Sequence, residues 1–179
     1  YSLAQTKDAD SLTVWQRVAD LLQPDEKDFK DSRKGIYYFI DAVCQGAERL
    51  ADPAAIPVLE QIHRIAAIHG QQCLHGYQPD YFLERRAMLE LSLGRALAAC
   101  GSPSGYAVLI GYLADVRSLL SKQAHLMLKR LRGMEIGKDP LLWSGWLAAA
   151  RREMLPYSLD MPLDLEKDSE SVLRQTLQG

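Results

Sequence analysis

The chain has 179 residues, and its 21 Lys and Arg stand against 23 Asp and Glu for a formal charge of −2. That balance excludes the dense basic surface that a general binder of nucleic acid or anionic membrane needs. Hydrophobic residues at 47% and charged residues at 25% exclude wholesale disorder and suit one domain with a real core.

Taken in chain order, residues 10–22 predict an N-terminal helix. Ile36, Phe39/Ile40, Val43, Ala47 and Leu50 then step at helical spacing along one stripe of about four turns. Asp52-Pro53 follows and opens another helix, with a capping residue ahead of a proline whose missing N–H costs nothing at the first helical position. Residues 69–80 are rich in Gly, Pro and Gln and read as an extended loop. The same cap-and-proline start recurs at Ser102-Pro103 and Asp139-Pro140, and Leu120, Ala124, Met127/Leu128 and Leu131 repeat the apolar stripe. Trp143 and Trp146, like Tyr106 and Tyr112, have the spacing of rings that fill a seam against the preceding helices. No segment alternates with period two between turn residues, so the fold class is all-α.

The three prolines mark an internal repeat, with Pro53 and Pro103 50 residues apart and Pro103 and Pro140 37 apart. The shorter interval fits one helical hairpin; the longer fits a hairpin plus an insertion over residues 69–82. The stretch 50–59, L-A-D-P-A-A-I-P-V-L, resembles the opening of a HEAT-type repeat. Residues 100–133 look like one whole unit, with Asp115-Val116-Arg117 at the turn between its helices. The resemblance covers residues 35–155. It implies an α-α superhelix of three to four hairpins, with a HEAT-like domain over 1–155. After residue 155 the composition turns acidic and aliphatic, and 156–179 is expected to be a covering tail with a short helix. A narrower resemblance links G-Y-A-V-L-I-G-Y-L-A-D-V-R-S-L-L and G-K-D-P-L-L-W-S-G-W to the C-terminal HEAT-like segment of bacterial multidomain proteins. Secreted-type FAD-dependent oxidoreductases are among them. It implies that this chain is a helical appendage whose flavin domain lies elsewhere, and an exported location. The chain itself holds no dinucleotide fingerprint, and no cofactor is expected.

Cys44, Cys73 and Cys100 make neither a disulfide framework nor a zinc ribbon, and the absence of Asn excludes N-glycosylation. Cys44 and Cys100 sit in apolar helical surroundings and read as small hydrophobes. His63, His69, Cys73 and His75 cluster in sequence, and His69, Cys73 and His75 are the candidate metal ligands. Their spacing matches no established zinc pattern, and the competing reading makes the histidines surface or inter-helix residues. Lys122, His125, Lys129 and Arg132 fall on one side of a helix opposite its apolar stripe, the candidate nucleic-acid strip within 117–132. The neighbouring helices do not continue that charge, so a solvated face and no duplex-DNA affinity are expected. Gly101-Ser102-Pro103-Ser104-Gly105 is not a nucleophile elbow, since Pro103 holds its centre. Acids such as Glu48 and Asp52, or Glu84 and Glu90, are expected to face solvent, leaving no residue for an enzyme mechanism. Leu74, Tyr77, Tyr81 and Phe82, in or beside the insertion, are the candidate protein-binding residues; they either form a contact surface or fold back onto the repeat edge. The expected function is therefore non-catalytic: a curved scaffold that docks a protein partner or an adjoining domain.

Overall fold

The computed structural model describes residues 10–22, 24–31 and 34–150. The expected covering tail over 156–179 lies outside the described residues. Among those described there are eight α-helices and no strand. They are α1 Ser11–Leu21, α2 Glu26–Lys30, α3 Ile36–Leu50, α4 Ile56–His63, α5 Tyr81–Ala99, α6 Pro103–Tyr112, α7 Ser118–Arg132 and α8 Pro140–Ala150. A 3₁₀ turn, Pro53–Ala55, leads into α4. No helix among the described residues is long and apolar enough to cross a membrane.

Of the three cap-and-proline starts, two follow the local chemistry of the chain. Asp52 Oδ1 accepts the Ala54 amide at 2.8 Å and Asp139 Oδ1 accepts the Leu141 amide at 2.8 Å, each ahead of a proline. Ser102 was expected to cap in the same way, and it does not. Its hydroxyl is 2.7 Å from the Ser104 hydroxyl, its amide bonds the Leu97 carbonyl, and Pro103 alone sets the start of α6.

The apolar stripes become the core. On α3, Ile40, Val43 and Ala47 are buried, and on α7 Leu120, Ala124, Leu128 and Leu131 are buried. Phe39, counted with that stripe, is 55% exposed. Helix α5 is the centre: it packs on α3, α4, α6 and α7, and α6 packs on α7 and α8. One face of α5, with Leu89, Leu93 and Leu97, closes a core shared with α1, α3 and α4. The opposite face, with Ala87, Leu91 and Ala98, closes a second core with α6, α7 and α8. A helix apolar on both sides is a buried helix, and this one divides the interior in two.

Small residues set how closely α5 and α6 approach. A Cβ on Gly105 would lie 2.2 Å from the Ala98 nitrogen and 2.5 Å from the Gly94 carbonyl oxygen. Further along, Trp143 and Tyr106 are fully buried, and Trp146 meets both rings edge-on at 5.7 and 5.3 Å. The aromatic seam is where the spacing predicts it.

Candidate functional site

Residues 69–80 carry no regular structure, yet they are stitched to the helical body. The stitches are the charged side chains that periodicity assigns to water. Glu90, on α5, is 1% exposed. Its Oε1 accepts the Gly70 amide at 2.7 Å, and its Oε2 accepts the Gln71 amide at 2.8 Å and the Tyr112 hydroxyl at 2.7 Å. Burial pushes this carboxyl up, but the bonds from His63, Tyr112, Gly70 and Gln71 outweigh it and hold it below its ordinary value. Desolvation, and after it the same carboxylate, raise the Tyr112 phenol.

Asp115 and Arg117, from the turn between α6 and α7, make the second stitch. Asp115 accepts the Cys73 amide at 3.0 Å and two guanidinium N–H bonds from Arg117 at 2.8 and 2.6 Å. Arg117 also donates to the Gln71 carbonyl at 2.6 Å, and the Val116 amide donates to the Cys73 carbonyl at 2.9 Å. Desolvation raises the Asp115 carboxyl, and its bonds to Arg117 and to the Cys73 amide more than reverse that. Gly111 on α6 leaves room for the Gln72 side chain, which a Cβ there would meet at 2.5 Å. Glu48 and Glu90, expected to face solvent, are both buried. Glu48 pairs with Arg95 at 2.5 Å, and desolvation raises its carboxyl.

The candidate protein-binding residues do not form one surface. Leu74, 54% exposed, borders a hollow of about 590 Å³ with Ala107, Ile110, Pro140 and Leu147. Tyr77 folds back: its hydroxyl bonds Glu84, and its ring lies 5.9 Å from the Arg117 guanidinium. Tyr81 and Phe82 are not loop residues. They form the first turn of α5, capped by Asp80, whose Oδ1 accepts the Phe82 and Leu83 amides at 2.9 Å.

Tyr81 instead belongs to a cluster that spacing along one helix could not reveal. The Arg85 guanidinium lies 4.1 Å from the Tyr37 ring centre, 5.5 Å from Tyr38 and 5.4 Å from Tyr81, and it donates to the Tyr81 hydroxyl at 3.0 Å. Tyr38 is 53% exposed and Tyr81 64%. Among the described residues no carboxylate pairs with Arg85. Lys30 adds a second cation, 6.0 Å from the Phe82 ring. The Tyr37-Tyr38-Phe39 run is the available signal in the sequence, since of its three rings the apolar stripe takes only Phe39.

The candidate nucleic-acid strip breaks up. His125 and Lys129 pair with Glu135 at 2.8 and 2.9 Å, and Arg132 lies 4.9 Å from the Trp146 ring centre. Lys122 is left exposed. Glu135, drawn down to about 2 by its bond to Lys129, follows the helix and pairs with two members of the strip.

The candidate metal ligands also regroup. The Cys73 thiol donates to the His75 carbonyl at 3.4 Å, and His75 is exposed. His69 turns away from both, toward His63 and Glu90, and these three bring one ligand atom each within 4.8 Å of one another. Cys44 and Cys100 are buried thiols that burial pushes up, Cys100 to about 12, which suits their reading as small hydrophobes. No family model, no curated protein and no solved structure matches this chain.

Proposed function

We propose that this chain is a non-catalytic helical module that docks a protein segment carrying an acidic group, supplied by a partner or by an adjoining domain of a longer chain. One observation carries the reading: Tyr37 and the exposed Tyr38 and Tyr81 surround an Arg85 that has no carboxylate partner among the described residues. Tyrosine and arginine are enriched at binding hot spots because both combine a large flat face with a polar head, tyrosine at small entropic cost. A carboxylate brought against Arg85 would complete its fork of donors while the flanking rings exclude water. The patch lies on α3 and α5, two helices packed on a common core, so the surface is held rigid before a partner arrives.

We read the architecture as HEAT-like, with α4/α5 and α6/α7 as successive hairpins, α3 ahead of them and α8 opening a further unit. The packing order α3–α5–α7 on one side and α6–α8 on the other supports that reading.

Selection of displayed peptides on the immobilised chain tests the function. Acidic-aromatic peptides should enrich, and calorimetry should show Arg85→Ala or Tyr81→Ala weakening them by roughly thirtyfold, a hot-spot loss of about 2 kcal/mol. Lys122→Ala should leave them unchanged. Peptides that bind the Arg85→Ala variant as tightly as the parent would overturn the reading, as would a preference for single-stranded oligonucleotide over every peptide.

A further inference from the structure

We propose that His63, His69 and Glu90 form a Zn²⁺ site. His63 is the last residue of α4, and the chain then reverses through a turn in which the Ile68 and His69 amides both bond the Ile65 carbonyl. Ala67 and Ile68 are buried and pin that turn, so His69 returns to face His63 from six residues on. The two rings stand edge to face with centres 4.8 Å apart.

The ligand atoms form a triangle. His63 Nε2 is 3.3 Å from Glu90 Oε1, His69 Nδ1 is 3.4 Å from His63 Nε2, and His69 Nδ1 is 3.8 Å from the same Glu90 oxygen. Zinc bonds of about 2.0–2.2 Å place tetrahedral ligand atoms about 3.3–3.6 Å apart, whereas octahedral bonds of about 2.1 Å place neighbours near 3.0 Å. Two edges therefore match a tetrahedral centre, and the third closes with a few tenths of an ångström of movement in exposed His69. Two imidazoles and a carboxylate are also a donor set suited to Zn²⁺ rather than to Mg²⁺ or Ca²⁺.

The surroundings suit a ligand carboxylate. Gly70 N–H takes one lone pair of Glu90 Oε1 and leaves the other facing the imidazoles. Gln71 N–H and the Tyr112 hydroxyl fix Oε2, so the carboxylate is oriented before any ion arrives. Glu90 is buried, His63 is partly covered and the His69 side chain is 65% exposed, so the fourth position opens to water on the His69 side. Bound there, the ion would clip the start of the insertion to α4 and α5, a third stitch beside Glu90 and Asp115–Arg117. Cys73 and His75 take no part.

Chelator-stripped protein should bind one equivalent of Zn²⁺ in a competition titration against a chromophoric chelator. At a hundredfold excess over Kd the ion should raise Tm by about 5–10 °C. His69→Ala, at an exposed position that leaves the fold intact, and His63→Ala should each weaken binding more than about tenfold and remove the Tm shift. Cys73→Ser and His75→Ala should bind as the parent does, and the Co²⁺ form should show no thiolate charge-transfer band. Absence of uptake by the parent would overturn the proposal. So would uptake that survives His69→Ala or is lost with Cys73→Ser.

Discussion

Glu90 shows how much one residue decides. Its carboxylate accepts the Gly70 and Gln71 amides and the Tyr112 hydroxyl and faces His63, at a position only 1% exposed. Glu90→Gln keeps the shape but removes the charge, and one amide N–H then points at a donor. With chelator present to exclude metal, urea unfolding at neutral pH should show a loss of about 2–3 kcal/mol, the scale of bonds to a charged group. The pH dependence follows from the sign of the shift. Glu90 and Asp115 are held below their ordinary values, so their contribution is complete above the unfolded carboxylate range, about pH 4. It is lost as pH falls through the lower folded values, because the unfolded chain then binds more protons. Glu48, raised by burial, runs the other way and offsets part of that loss. Stability of the parent should therefore fall steeply on acidification below about pH 4, and Glu90→Gln should flatten that limb. An unchanged limb would show that Glu90 does not govern it.

Among the elements, the α5–α6 crossing depends on the absence of two side chains. At Gly105 an added Cβ meets the backbone of Ala98 and Gly94, which cannot move without displacing α5. At Gly94 it meets the Val108 side chain at 2.7 Å, and that side chain has rotamers to try. Gly105→Ala should thus cost about 3 kcal/mol or more, and Gly94→Ala about 1–2, as measured by denaturant midpoint. The reverse order would mean that α6, not Val108, yields. Helix ends are worth less: Asp52→Ala, which removes the acceptor for the Ala54 amide, should cost about 1 kcal/mol in the same assay.

For the molecule as a whole, the insertion is the test of how the parts depend on one another. Its backbone supplies the donors and acceptors that satisfy buried Glu90, Asp115 and Arg117. Replacing residues 70–79 with a short turn should lower Tm by about 10 °C or more, because charges taken out of water would lose their partners. Binding at the Arg85 patch should persist in the part of the population that remains folded. If Tm holds while binding is lost, the insertion is a recognition loop and not a structural strap.

What the sequence determined by itself was local. Apolar spacing on α3 and α7, proline at the start of α6 and α8, and Asp52 as a cap are consequences of contacts within a few residues, and they can be read without a fold. The Trp143 and Trp146 seam was legible for the same reason, since large rings three apart on a helix share a side. Only the tertiary structure decided the polar interior. Glu90 meets partners 19 to 27 residues away, Arg117 meets a carbonyl 46 away, and Arg85 gathers rings from α3. Helical periodicity assigns a charged residue to water unless a partner is known, and these partners lie on other elements. His63 and His69 were visible as histidines, but Glu90 was not visible as their companion, because nothing short of packing α4 against α5 brings that carboxylate within 3.3 Å of an imidazole.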